Sequence, residues 1–333
     1  MNNKNYFTSL MIACALCGCK PAAPRVDSGR AFEAAQPAPP VDSGRAVGAT
    51  VASALADARR ELATRIIKTG DLEPPVPAPP PGIFNLIRYK SPVGDLAAYV
   101  TPDPGDGAKH PAIVWITGGD CNSIGEMWSE KPRSNDQSAA AYRKARIVTM
   151  FPSLRGGNDN PGRREGFYGE VDDVIAAAAH LVSLRYVDPD RIYLGGHSTG
   201  GTLVILVAET SARFRAVFAF GPVEDVRGYG GRFVYHDPSN PREAELRAPG
   251  LWLDSVRSPL FAIEATGGNI DSLRAMQTSN RNPMIRFIEV PGKTHFSVLA
   301  PTNEVIASKI LADTGATMGI TFTDAEINAL GGR

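Results

Sequence analysis

The stretch from Ile192 to Gly201, Ile-Tyr-Leu-Gly-Gly-His-Ser-Thr-Gly-Gly, runs straight into a mostly apolar segment ending at Ala208. Few backbones accommodate that order. A short apolar run, a serine flanked by glycines and a second apolar run of helical length read as strand, sharp turn and helix. The glycines are needed because so tight a turn leaves no room for side chains beside it. The turn lifts the Ser198 hydroxyl above the strand ends. Its place at a helix N-terminus favours developing negative charge. Ser198 is therefore the candidate nucleophile.

The surrounding chain fits such a unit. Ile83 to Tyr89 and Leu96 to Thr101 read as two strands joined at residues 91–95. Pro111 to Thr117, Ile147 to Phe151, Ile192 to Gly195, Phe214 to Phe220, Leu260 to Ala265 and Ile285 to Val290 read as further strands. Val171 to Leu184, Thr199 to Glu209 and Thr302 to Leu311 read as helices between or after them. This alternation predicts an α/β fold, a mostly parallel central sheet covered by helices on both faces. Function in such sheets gathers at the carboxyl ends of the strands.

A serine nucleophile needs a base. The chain has five histidines. His110 precedes a central strand at the wrong end, and His180 lies within a helix. His197 adjoins the serine and reads as packing, while His236 falls in a polar, loop-rich region. His295 follows the last strand in a Pro-Gly-Lys-Thr-His-Phe loop, at a carboxyl end, and is the expected base. Two carboxylates qualify to orient it, Glu264 and Asp271, with Asp225 a distant third. Asp271 has a structural explanation, since acids favour the first turn of a helix. Glu264 has none, because a carboxylate on a buried strand is costly unless paired. Glu264 is thus preferred, with Asp271 the alternative. The oxyanion hole needs two backbone N–H donors. Thr199 supplies one, and the loop Gly118-Gly119-Asp120 supplies the other, taken as Gly119. Cys121 nearby reads as a small buried residue.

The front end differs in texture. Met1-Asn2-Asn3-Lys4 precedes an apolar stretch from Tyr6 to Leu16, the pattern of an export signal. Leu16-Cys17-Gly18-Cys19 resembles a bacterial lipobox. That resemblance implies a signal peptide over 1–18, acyl chains on Cys19, and attachment to the bacterial envelope. By the same resemblance, Lys20 rather than Asp after the cysteine implies the outer membrane, facing the periplasm. Residues 19–48 are rich in Pro, Ala and Gly and contain the duplication Val26-Asp-Ser-Gly-Arg-Ala31 and Val41-Asp-Ser-Gly-Arg-Ala46. They read as a disordered tether. Residues 49–81 read as a helix over Ala52 to Lys68 and an extended Pro-rich spacer. The main domain is expected over 82–333.

Composition excludes other classes. The 35 Lys+Arg balance the 35 Asp+Glu, and no basic stripe stands out, which argues against nucleic-acid binding. With Cys19 lipidated after cleavage, Cys121 has no partner for a disulfide, and no Cys-based zinc site is possible. There is no HExxH pair, no GxxxxGK[ST] loop and no dinucleotide fingerprint, so no cofactor or metal is expected.

From about Ile83 to Asp313 the chain resembles the α/β-hydrolase superfamily, and within it the catalytic domain of the prolyl oligopeptidase family of serine peptidases. The resemblance rests on Phe151-Pro-Ser-Leu-Arg-Gly-Gly157, Gly169-Glu-Val-Asp-Asp173, Val187-Asp-Pro-Asp-Arg-Ile192 and the Ser198 turn. It implies structural roles for Arg155, Asp172 and Asp173 beneath the site. The family's usual acid, an Asp a few residues past the strand, falls near Gly267-Gly268 here. The expected activity is a cofactor-independent serine hydrolase acting on a peptide, amide or ester through an acyl-enzyme. A carboxylesterase and a non-catalytic scaffold lipoprotein with this fold are the alternatives. Val223 to Trp252, rich in Gly, Arg and aromatics, is expected to cap the site.

Overall fold

Eight strands form one sheet, and their order across it differs from their order in the chain. A computed structural model describes residues 54–70 and 73–332. The strands are β1 (Asn85–Ser91), β2 (Gly94–Val100), β3 (His110–Ile116), β4 (Val148–Pro152), β5 (Val187–His197), β6 (Val217–Phe220), β7 (Leu260–Gly267) and β8 (Ile285–Thr294). Their spatial order is β1-β2-β4-β3-β5-β6-β7-β8. β1 and β2 form an antiparallel hairpin, β2 pairs antiparallel with β4, and every later pairing is parallel. The helices are α1 (Ala54–Arg60), α2 (Ala140–Lys144), α3 (Glu170–Ser183), α4 (Thr199–Thr210), α5 (Pro241–Glu245), α6 (Ile270–Ser279), α7 (Leu299–Ala312) and α8 (Asp324–Gly331).

Successive side chains of a strand point to opposite faces, so a strand buried on both sides must be apolar throughout. Strand β3 shows this. Ala112, Val114 and Ile116 enter a core shared with α1, α3, α4 and α6, while Ile113 and Trp115 enter one shared with α2, α7 and α8. The expected α/β architecture, helices on both faces of a mostly parallel sheet, is the one observed.

Two expectations for the N-terminal flank are corrected. The helix anticipated over Ala52 to Lys68 ends at Arg60, and Ile66 instead makes a β-bridge to His236. Leu55 is fully buried in the core, and Arg59 donates to the Tyr168 carbonyl at 2.9 Å while pairing with Asp172. Tertiary packing, not helix propensity, sets where the segment turns. The Pro-rich stretch is extended, but it packs on the body instead of spacing it. Val76 is buried, and the Pro77 carbonyl accepts from the Tyr99 hydroxyl at 2.5 Å. The anticipated signal peptide (1–18), Cys19 and the tether (19–48) lie outside the described residues. At the other end, α8 packs on β8 and buries Leu330. Among the described residues no helix is long and apolar enough to cross a membrane.

Candidate active site

The register of three neighbouring strands builds the site. His197, Phe220 and Ile263 are paired across β5, β6 and β7. One residue further on, Ser198, Gly221 and Glu264 therefore form a row at the carboxyl edge. Strands sit about 4.8 Å apart, so Ser198 and Glu264 are roughly 10 Å apart along the row. Gly221 between them leaves the gap open. A Cβ there would fall 2.3 Å from His295 Cε1 and 2.8 Å from Glu264 Oε2. The imidazole of His295 occupies that gap.

Ser198 has φ 57° and ψ −116°, a strained backbone for a residue with a side chain. Strain of this kind costs about 1–3 kcal/mol and persists only where the surroundings enforce it. Here the ladder enforces it: the Ser198 N–H donates to the Phe220 carbonyl at 2.7 Å, and the Ser198 carbonyl accepts from Thr202 at 2.9 Å. The flanking glycines are steric necessities. A Cβ on Gly196 would lie 2.5 Å from the Gly200 carbonyl oxygen, and one on Gly200 2.3 Å from that of Ile116.

Glu264 is fully buried and accepts three hydrogen bonds. They come from Ala265 N at 2.6 Å, Asn269 N at 2.8 Å and His295 Nδ1 at 2.8 Å. These donors offset the cost of burying a carboxylate. A Cβ on Gly268, one of the two glycines near which the resemblance puts the usual acid, would come within 2.5 Å of the Glu264 carboxyl. The missing side chain makes room for the longer Glu264. The alternative acid, Asp271, lies exposed in the first turn of α6, away from this pair. Asp225 caps a short turn and pairs with Arg227.

Thr199 opens α4, where backbone N–H groups have no helical partner. Its hydroxyl donates to the Gly119 carbonyl at 3.0 Å, which ties together the two residues expected to hold an oxyanion. Gly119 adopts φ +79°, a turn that a side chain would strain. Gly118 lies directly on the serine turn: a Cβ on it would meet His197 Nδ1 at 2.7 Å and Ser198 Cβ at 3.2 Å.

Residues 223–256 form short turns and α5 beside the site. The Tyr229 hydroxyl bonds Thr202 Oγ1 at 2.7 Å and also interacts with the Ser198 hydroxyl. Its ring stacks on Phe167 at 6.0 Å and packs on Phe233 at 5.6 Å. Next to this aromatic wall, a cavity of about 340 Å³ is lined by Lys68, Asp120, Arg164, Arg232, Phe233 and Tyr235 among others. The sequence marked Tyr229 as a cap aromatic, but it gave no sign that residues 68–70 or Arg164 would line this cavity. Cys121 is buried in the core, and burial pushes its thiol pKa up.

The other histidines lie elsewhere. His110 pairs with Asp106 on the surface. His180 lies near the end of α3, and burial lowers its pKa. His236 is buried against α5, and burial and Arg247 hold its pKa down at about 4. Arg155 and Asp173 form a buried pair joined at 2.8 Å, and Asp172 pairs with Arg59 at 3.3 Å.

Residues 136–245 match the prolyl oligopeptidase family. That segment includes Ser198 and most of the expected cap segment, while Glu264 and His295 lie beyond it. The dual function macrocyclase-peptidase POPB of Galerina marginata is 34% identical over 126 residues, 33% of this chain and 17% of that protein. S-formylglutathione hydrolase of Rattus norvegicus is 27% identical over 149 residues, 38% of this chain and 51% of that one. The chain thus spans less than a fifth of the first of these relatives and about half of the second. Among solved structures, a Mycobacterium tuberculosis puromycin-hydrolyzing peptidase superposes with a TM-score of 0.58 at 19% identity, over 73% of this chain and 41% of that one. The chain thus has the α/β-hydrolase fold, and its segment 136–245 around Ser198 is similar to the prolyl oligopeptidase family.

Proposed function

We propose that the protein is a serine hydrolase that cleaves peptide or amide bonds through an acyl-enzyme. The observation that carries this reading is the Glu264–His295 pair, held over Gly221 beside a strained serine. Ser198 Oγ attacks the carbonyl carbon, and its proton passes to His295 Nε2. Glu264 accepts from Nδ1 and stabilises the imidazolium that forms. The N–H groups of Thr199 and Gly119 hold the oxyanion. His295 returns the proton to the leaving group, and a water activated by the same ring releases the acyl chain.

The family match and the peptidase relatives support a peptide substrate. Ester cleavage is the second reading, favoured by the likeness to S-formylglutathione hydrolase over about half of that protein's length. Tyr229 and Phe233 of the expected cap, with Phe167 packed against them, would face either substrate. We also propose that Cys19 carries lipid and anchors the enzyme in a bacterial envelope, most simply the outer membrane facing the periplasm. The Leu16 to Cys19 run supports this, and the mass of the mature N-terminus tests it.

A fluorophosphonate probe tests the chemistry. Wild-type protein is expected to gain one phosphonyl adduct, and Ser198→Ala none. A folded wild type that stays unlabelled would overturn the hydrolase reading and favour the non-catalytic scaffold. Matched peptide anilides and p-nitrophenyl esters then separate the two substrate readings.

A further inference from the structure

The residue before the nucleophile does more than fill space. His197 is fully buried, and both of its ring nitrogens are engaged. Nε2 lies 3.0 Å from the His295 carbonyl oxygen, which can only accept, so Nε2 carries the proton. Nδ1 lies 2.9 Å from Gln137 Nε2, which can only donate, so Nδ1 is bare. The Gln137 amide is fixed independently of this ring. Its nitrogen also donates to Asn135 Oδ1 at 2.9 Å, and its oxygen accepts from the Gly118 N–H at 3.4 Å. Every donor of that amide is used.

These contacts form one continuous chain, Gly118 N–H to Gln137 to His197 to the His295 carbonyl. It starts in the loop that leads to Gly119 and ends on the backbone of the expected base. It passes through the residue next to Ser198. Resting on the serine-hydrolase reading above, we infer that His197 and Gln137 are positioning residues that hold the oxyanion loop and the base loop in register across the nucleophile. Burial and the neighbouring His295, whose ring centroid is 4.5 Å away, hold the His197 pKa down at about 3. The ring is therefore neutral wherever His295 acts as a base, and the direction of each bond is fixed.

A small displacement of either loop costs rate out of proportion to binding, because misplacement of about 1 Å can cost roughly a hundredfold. The test uses the whole protein. In His197→Leu and Gln137→Leu, kcat is expected to fall about 10- to 100-fold with KM changed less than about threefold. His197→Gln keeps an N–H directed at the His295 carbonyl and is expected to recover a large part of the loss. The double Leu variant is expected to be no worse than the poorer single one, since both cut the same chain. A purely packing role predicts no rescue by Gln and additive losses, and that result would overturn the inference. Nitrogen-15 NMR of the histidine rings in Ser198→Ala protein gives a readout independent of turnover. A neutral Nε2–H ring at His197 supports the chain, and an Nδ1–H or charged ring refutes it. If wild type takes no fluorophosphonate label while the NMR shows Nε2–H, the hydrolase reading fails and the hydrogen-bonded chain stands as structure alone.

Discussion

Glu264 and Asp173 are both fully buried carboxylates, yet they have different surroundings. Asp173 accepts from Arg155 N, Nε and Nη2 at 3.0, 2.8 and 2.9 Å, and from Ser91 Oγ at 2.5 Å. Its charged partner is a guanidinium that never gives up its proton, and that partner is itself buried. Glu264 accepts from two backbone N–H groups and an imidazole. That imidazole is titratable, and its side chain keeps 16% of its surface open. The first arrangement is electrostatically finished and serves the fold. The second leaves one partner able to change charge and partly open to solvent, as the proposed role of His295 requires. Burial of a carboxylate therefore does not distinguish structure from chemistry; the partner's ability to exchange a proton does.

The sharpest way to break this contrast is to neutralise each carboxylate in turn. Glu264→Gln is expected to lower kcat by about 10³–10⁴-fold, as loss of the orienting acid does in serine triads. Steady-state kinetics on the preferred substrate measures it, and a loss below tenfold would remove Glu264 from the mechanism. Asp173→Asn leaves Arg155 buried and under-compensated, and breaking such a pair costs about 3–5 kcal/mol. Denaturant unfolding should show that loss, while kcat of the protein still folded changes little. A stable but inactive Asp173→Asn would reverse the comparison.

A smaller effect sharpens the account of where the acid sits. With Glu264→Ala the carboxyl that blocks a Cβ at Gly268 is gone. Adding Gly268→Asp is then expected to restore about tenfold of the activity that Glu264→Ala loses, by supplying a carboxylate from the adjacent turn. Gly268→Asp alone, with Glu264 present, should instead destabilise the protein.

The smallest effect concerns the buried histidines. His236 is faced by Arg247, Glu243, Arg227 and Asp225, and its pKa is lowered to about 4 from the usual 6.5. Between those values the unfolded chain binds a proton that the folded one does not. Stability is therefore full above about pH 6.5 and falls as pH drops toward 4. Melting temperatures across that range should decline for wild type and decline less for His236→Phe. Equal slopes would show that this ring does not govern acid sensitivity.

Most strands were legible because a parallel sheet demands apolar runs, and those runs are continuous in this chain. Their bounds shifted by a few residues where pairing extended the ladder. Strand β5, for example, starts at Val187, which pairs with His110, although Asp188-Pro189-Asp190-Arg191 interrupt the ladder before Ile192. The short helix α2 and the true end of α1 were not legible, because packing against the sheet overrides weak local preference there. Ser198 was legible because its turn is steric, so its glycines must stand at fixed offsets. Gln137 was not, since nothing local marks an amide whose partners come from residues 118, 135 and 197.

The sequence by itself determined the α/β alternation, the serine turn and a short choice of bases and acids. Those follow from local sterics and from burial, which act on neighbouring residues. The tertiary structure decided that Glu264, and not Asp271, meets His295. It did so through the register that sets Ser198, Gly221 and Glu264 in one row, and through two glycines far apart in the chain that leave room for the imidazole and the carboxylate. Such choices depend on which strands become neighbours, and that is fixed only when the whole sheet has formed.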